Sequence, residues 1–574
     1  MKPEEIFTLR GYDMVVAVTF DAINRQLEAL GRSPQGLTET SRRSPFEVVI
    51  EMGIGADDNW EPRVRTDFTQ VQKDPVTGIP FNETLFGTYR PRMGALRTGR
   101  EVSLIVEFTS GSLWTRSLAS GNMRPAIDIT GWSFQMPVNV NFEKLERNSP
   151  RPFVTDVVEK RLNRFHSSDF AISRVFADFQ SVDLLEVSST INVPDGTNRR
   201  EKQLFQAFML NDDGFLAYLQ KHPGENPYTL GFSAAPPTEE ELAQDDKVPN
   251  SLRPVGNTFN VFYDSSDPSR STLNFILNTK DSAIPPGTHP TADTFDSNWL
   301  SSTDTADGKM TYSFRACLET LILKEFYNQY AAGIHQQVSE GGVSIFEPVR
   351  DYEKAKQANG AGRYLFNISN QDSSVSNDDR YTNSFEATWR STASGITVDL
   401  SGQIHWYKEK SRNVVILTQS QEARAWAGCT TTWKGHIDVT LSQEDGKQVL
   451  HMSDPALAIE STTPISDRNG VAKSLSSWGN FLDDILGVGK VFFLFTQNQW
   501  LGAGIFGLAL VKFPSKIKVN GVTLELALRN LPSMASNTVF LAAGSVFQYK
   551  NVQVDGLHGT TSMLIDFKPE VLQN

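Results

Sequence analysis

Only two cysteines, Cys317 and Cys429, occur among 574 residues, and they lie far apart. Two scattered thiols make no disulfide framework, although whether they pair with each other stays open at this level. They also exclude a structural zinc knot, which needs four ligands at short, paired spacings. Positive charge is scarce as well: 54 Lys plus Arg stand against 67 Asp plus Glu, giving −13. That balance repels phosphates, and the densest basic clusters, Arg42-Arg43 and Arg199-Arg200, are only pairs, so a nucleic-acid partner is disfavoured. Long hydrophobic runs are missing too. The most apolar stretch, 491–514, is broken by Thr496-Gln497-Asn498-Gln499 and reads as two buried strands joined by a turn. The start, Met1-Lys2-Pro3-Glu4-Glu5-Ile6, has no apolar segment of a secretory signal. The expectation is a cytoplasmic protein, or one released without a signal peptide, with no transmembrane segment.

Catalytic signatures are equally sparse. None of the eight histidines stands four residues from another, and no His-Glu-x-x-His occurs, so a helical zinc site has no support. There is no Gly-x-Ser-x-Gly nucleophile elbow. Asp304-Thr305-Ala306-Asp307-Gly308 resembles the start of a calcium loop but lacks the alternating oxygen ligands and the closing Glu; a turn is the better reading. Gly502-Ala503-Gly504-Ile505-Phe506-Gly507 matches the dinucleotide fingerprint as text. Its flanks, Trp500-Leu501 and Leu508-Ala509-Leu510-Val511, read as strand, without the helix that would hold a pyrophosphate. Acidic pairs such as Asp57-Asp58 and Asp378-Asp379 read as solvated charge. The expectation is a protein that is not an enzyme and carries no cofactor or metal.

What is present is β-structure. Val102, Leu104, Val106 and Phe108 alternate with Ser103, Ile105 and Glu107, and Phe134, Met136, Val138, Val140 and Phe142 repeat the pattern. Ile396, Val398 and Leu400 continue it, resuming at Ile404 and Trp406 after Gly402, read as a bulge or bend. Such alternation suits antiparallel sheets with one buried face. Helical spacing is limited to Phe20, Ile23, Leu27 and Leu30 before Gly31, to the apolar positions within 152–165, to the Phe314–Phe326 stripe with Leu318, Leu321 and Ile322, and to Trp478–Leu486. Phe is abundant, 36 against 13 Tyr and 10 Trp, which favours dry interiors. The length exceeds one ordinary core. The linker-like stretch Asp281–Gly308 divides the chain into expected halves 1–308 and 309–574.

Four segments in order, Gly11-Tyr12-Asp13-Met14-Val15-Val16-Ala17-Val18, Ile127-Asp128-Ile129-Thr130-Gly131-Trp132-Ser133-Phe134 running into Val138-Asn139-Val140-Asn141, 170–179 and 271–277, resemble the OrfX-type proteins and their forty-seven-kilodalton relative from botulinum-type toxin gene clusters. The second half resembles them more loosely, through Trp389, Ile396–Leu400 and Gly402-Gln403-Ile404. The resemblance implies a β-rich α+β fold of the tubular lipid-binding (TULIP) kind: an elongated body of long, curved antiparallel sheets wrapped around a few amphipathic helices. It further implies a lipid or other apolar ligand, phosphoinositides among them, a toxin or another family member as partner, and peripheral membrane contact. Val491-Phe492-Phe493-Leu494-Phe495 is apolar on both faces of one strand, and its second face needs a covering helix (Trp478–Leu486), a partner or a lipid chain. Phe492, Phe493, Phe495, Trp500 and Phe506 are therefore the candidate groove residues. Two other function classes stand beside this one. A pore-forming or insecticidal component would need a long amphipathic Ser/Thr-rich hairpin, for which the sequence offers no clear candidate. A carbohydrate-binding β-protein would need exposed Trp, with Trp426 and Trp433 as the candidates.

Overall fold

The computed structural model describes residues 9, 11–32, 46–54, 60–65, 86–116, 123–145, 158–160, 171–179, 191–210, 214–221, 228–235, 254–279, 299–300, 304–313, 315–340, 351–358, 363–368, 377–416, 419–444, 447–453, 456–471, 518–519, 522–523, 539–542, 544, 546–555 and 560–568. Their architecture is β-rich and almost wholly antiparallel, with three large sheets and few helices.

The central sheet has the strand order Pro254–Phe262, Thr272–Thr279, Met14–Thr19, Gly308–Ser313, Thr560–Lys568, Val546–Asp555. Strands from both sides of residue 308 thus share one sheet. Met14–Thr19 is buried along its whole length, which explains why its sequence is a continuous apolar run rather than an alternation. Met14, Val16 and Val18 enter the main core. Val15 and Ala17 join Leu9, Tyr12, Ile276 and Trp299 on the other face. Asp13, fully buried, clamps the strand at its start. Its carboxylate accepts from Thr279 N at 2.9 Å and Thr279 Oγ1 at 2.7 Å on one neighbour, and from Ser313 Oγ at 3.4 Å on the other. A buried carboxylate is tolerable only with such donors.

The N-side sheet runs Val539–Phe540, Thr229–Ala235, Ala171–Asp178, Ser133–Leu145, Glu101–Ser110, Phe86–Ala95, Glu47–Ile54, Ser112–Arg116, Met123–Asp128. As the alternation predicts, Val102, Leu104, Val106 and Phe108 are buried, as are Phe134, Met136, Val138 and Val140. The helix Phe20–Arg32 also forms where expected, burying Phe20, Ile23, Leu27 and Leu30. Each leucine there contributes about 1.5–3 kcal/mol of burial. Within 152–165 the described part, 158–160, is helical.

The C-side sheet contains Lys356–Ala358, Arg363–Asn367, Asn377–Ser391, Gly395–Ile416, Gln419–Glu444 and Lys447–Met452, with Ala456–Arg468 also on Gln419–Glu444. Phe366, Phe385, Gly402 and Trp433 fall in one register row across four strands. Gly402 is neither bulge nor bend, because the pairing runs through it without a shift. A Cβ there would overlap the Trp433 indole, so glycine is needed for close approach. The helix expected at Phe314–Phe326 begins instead as wide π-type turns, Arg315–Leu323, and continues as Lys324–Glu340. The wider turn lets three consecutive residues, Leu321, Ile322 and Leu323, all be buried, which a strict 3.6-residue stripe does not allow.

Candidate functional site

The groove residues Phe492, Phe493, Phe495, Trp500 and Phe506 lie outside the described residues, as do the covering helix Trp478–Leu486 and the glycine run 502–507. Two aromatic assemblies stand out within the described apolar interior. On the N side Phe108 meets Phe205 at 5.8 Å, Phe208 at 6.2 Å and Phe215 at 6.2 Å between ring centroids, and Trp132 meets Phe205 at 4.9 Å. On the C side Phe366 stacks on Phe385 at 4.6 Å. The helix sets Phe326 and Tyr330 over Phe385 at 5.5 and 5.7 Å, and Tyr330 against Trp433 at 5.9 Å. These separations are direct ring packing. Both assemblies are therefore closed core, and their Phe residues serve packing rather than an open channel. Trp433, almost fully buried, is a core residue and cannot serve as an exposed stacking platform for sugar.

An open depression of about 730 Å³ lies on the opposite, outer face of the C-side sheet. Two register rows build it. One carries Arg363, Thr388, Asp399 and His436, and the next carries Glu386, Ser401, Lys434 and Ala458. Alternation drives these side chains outward while Phe385, Ala387, Val398, Leu400 and Trp433 point in. The charges are interleaved. Arg363 pairs with Glu386, Arg390 with Asp399, Lys434 with Glu460 at 2.8 Å, and His436 Nε2 lies 3.5 Å from Asp438. Thr397 Oγ1 donates to Asp438 at 2.6 Å. The hydrogen bond and charge of Asp399 hold the Arg390 guanidinium above its ordinary value. Gly435 and Ala458 supply the apolar part of the lining, and Leu400 borders it only with its backbone, its side chain being buried in the core.

A smaller recess of about 250 Å³ is lined by Asp21, Asn24, Arg25, Glu28, Arg90, Pro91 and Arg92. Here the helix Phe20–Arg32 is fastened to strand Phe86–Ala95: Asn24 Nδ2 donates to Met93 O at 2.9 Å, and Met93 N donates to Asn24 Oδ1 at 2.7 Å. Arg25 pairs with Asp307, and Arg90 with Glu107 at 2.8 Å. The recess reads as a docking seam. Asp307 also accepts from Phe567 N at 3.0 Å and, through its backbone carbonyl, from Thr19 N at 2.8 Å, so the turn 304–308 ties a helix to two strands. No cluster of potential metal ligands occurs among the described residues, and no described helix is long and apolar enough to cross a membrane.

Two features escaped sequence reading. The helices Arg199–Leu210 and Phe215–Lys221 supply the N-side rings. Their signal was present as a capping box: Glu201 N donates to Asn198 Oδ1 at 2.8 Å and Asn198 N to Glu201 Oε2 at 3.3 Å. The second is the hairpin Gly395–Ile416/Gln419–Glu444, whose strands are 22 and 26 residues long. It has the length that a pore-forming component requires. However, Lys408, Lys410 and Arg412 occupy one alternation set and Glu409, Ser411 and Asn413 the other, leaving no apolar set across 408–413. A spanning strand needs about 9–11 residues with one lipid-compatible face.

No protein-family model matches the chain, and no curated protein matches it. Among solved structures the chain is similar to that of P47 of Clostridium botulinum E1, with 8% identity, TM-score 0.43, and 97% of this chain and 99% of that one covered. It is also similar to a lipopolysaccharide binding protein, with 10% identity, TM-score 0.21, and the same coverage. At these values neither likeness carries an argument about function.

Proposed function

We propose that this chain is a non-catalytic lipid-binding protein of the tubular, elongated kind, with 1–308 and 309–574 as its two units. The observation that carries this reading is two antiparallel sheets, each filled by helices on its inner face, that meet on one shared sheet. The segments that resemble the OrfX-type proteins support it, because they are the strands that assemble this frame. The strand from the Gly11–Val18 segment, Met14–Thr19, is the hydrogen-bonded neighbour of Thr272–Thr279. Likewise Ser133–Leu145 pairs with Ala171–Asp178. The ligand is the apolar part of a lipid, with a phosphoinositide as the headgroup class to try first. A toxin or a second family member is the proposed protein partner, and membrane contact is peripheral.

Because the described aromatic assemblies are closed, the ligand is assigned to the segment carrying Phe492, Phe493, Phe495, Trp500 and Phe506. Each buried ligand methylene there contributes about 0.8 kcal/mol, enough for a long acyl chain to bind despite ordering costs. The test substitutes Phe492→Ser and Phe493→Ser separately and compares folding stability with retention of fluorescent fatty-acid and phosphoinositide probes. One substitution is expected mainly to destabilise and the other mainly to release probe. Equal destabilisation with unchanged probe binding makes this strand ordinary core, and no probe binding by the unaltered protein sinks the lipid reading.

A further inference from the structure

The outer depression has a different chemistry from any lipid groove, and it stands independently of the lipid reading. We propose that it binds a neutral, polyhydroxylated ligand, a short glycan segment. Its volume, about 730 Å³, falls within the roughly 300–1,000 Å³ of small-molecule sites. Its lining carries two full cations, Arg363 and Lys434, and two carboxylates, Glu386 and Asp399. These four charges balance within the lining.

That balance decides the ligand class. An anion such as a phosphate entering beside Arg363 or Lys434 would also face Glu386 and Asp399. A cation would face the converse repulsion. Each cation is already engaged by its own carboxylate, so a charged ligand must break a pair to gain one. A hydroxyl breaks nothing. Carboxylates and guanidinium groups that pair with each other still have lone pairs and N–H groups left over, and a vicinal diol, donor and acceptor at once, can use both. Thr388 and Ser401 add hydroxyls between the charged groups. Strands about 4.8 Å apart space these groups on the scale of one sugar ring, and Gly435 and Ala458 offer apolar surface to the C–H face of a ring. Among the described residues no aromatic side chain lines the depression, so the affinity is expected in the weak range, Kd of about 0.1–1 mM.

The experiment screens the full-length protein on an array of neutral glycans. Hits, together with maltotriose, are then titrated by calorimetry or ligand-observed NMR. Inorganic phosphate and phosphoinositide-containing vesicles are titrated in parallel. Two variants are compared with the unaltered protein by the same assay and by thermal melting. Ser401→Trp fills the depression from an exposed position, and the paired change Glu386→Gln with Asp399→Asn removes its charged acceptors. The expected result is saturable binding of at least one neutral glycan, nearly insensitive to added salt. Either variant should weaken it by at least about tenfold with an unchanged melt. The proposal is overturned if no neutral glycan binds, or if both variants, folded, bind as well as the unaltered protein. It is likewise overturned if phosphate or the vesicles are the ligands that Ser401→Trp displaces.

Discussion

The N-side and C-side interiors do the same job, filling the inner face of an antiparallel sheet with aromatic rings, in two different ways. On the N side the rings arrive from two short helices and from separate strands, and they meet mostly edge to face. Phe108 touches Phe205, Phe208, Phe215 and Tyr89. On the C side one helix lies over a single register row, Phe366–Phe385–Gly402–Trp433. The N-side cluster depends more on total volume, since Phe205, Phe208 and Phe215 come from helices, although Tyr89 and Phe108 are themselves register partners. The C-side row depends on register and on one missing Cβ. A fault that one interior absorbs should therefore break the other.

Gly402→Leu is expected to have the largest effect. Its side chain must displace the Trp433 indole from Tyr330 and Phe385, forfeiting at least the roughly 3–5 kcal/mol typical of deleting a large core aromatic. Denaturant unfolding measures this, and a loss below about 1 kcal/mol would show that the row can slide. The N-side counterpart is Phe108→Ala, with an expected cost of about 3–5 kcal/mol through lost volume. Phe108→Leu should recover much of that, because the cluster asks for bulk before geometry. If Phe108→Leu costs as much as Phe108→Ala, the contrast between the two interiors fails.

Alkali should discriminate between the two sides next. Burial, and then the charge of Asp351, push the Tyr327 phenol up to about 12 from 10.0. Burial followed by the charge of Glu319 raises Tyr352 and Tyr364 as well. The unfolded chain releases these protons near pH 10 while the folded chain keeps them. Stability from this source is therefore complete below pH 10 and falls as pH rises towards 12. The N-side phenylalanines cannot titrate. Tyrosinate absorbance should show a group of tyrosines, Tyr327, Tyr352 and Tyr364 of the C side with Tyr549 of the central sheet, which burial also raises, that ionises only with unfolding; ionisation of all tyrosines near pH 10 in folded protein would contradict this. Smallest is Tyr330→Phe, which removes the hydrogen bond from Tyr330 Oη to Asn383 Oδ1 at 3.2 Å but keeps the ring. About 1 kcal/mol is expected.

The same contrast explains what the sequence revealed. Alternation marked 102–108, 134–142 and 396–400 because each strand has one buried face. The helix Phe20–Arg32 was legible because its buried stripe, Phe20, Ile23, Leu27 and Leu30, leaves Asp21 and Arg25 exposed on another face. Arg199–Leu210 was overlooked despite its Asn198–Glu201 capping box, because a pair of arginines at its start read as surface charge. The long hairpin was legible at Ile396–Leu400 and again at Ile404 and Trp406; across 408–413 both alternation sets become polar and the period no longer marks a buried face. The central sheet pairs residues 14–19, 272–279, 308–313 and 560–568, and nothing in a linear pattern encodes partners that distant. The outer depression was invisible for the same reason: its residues come from five strands and meet only through register.

Lipid binding is the central claim, and native mass spectrometry of the gently purified full-length chain tests it most directly. Expected beside the 63.9 kDa chain is a second species heavier by one lipid. Collisional activation should release that lipid as an identifiable ion, and Phe492→Ser or Phe493→Ser should deplete the species. A single bare mass, unchanged after incubation with mixed fatty-acid and phosphoinositide vesicles, would contradict it.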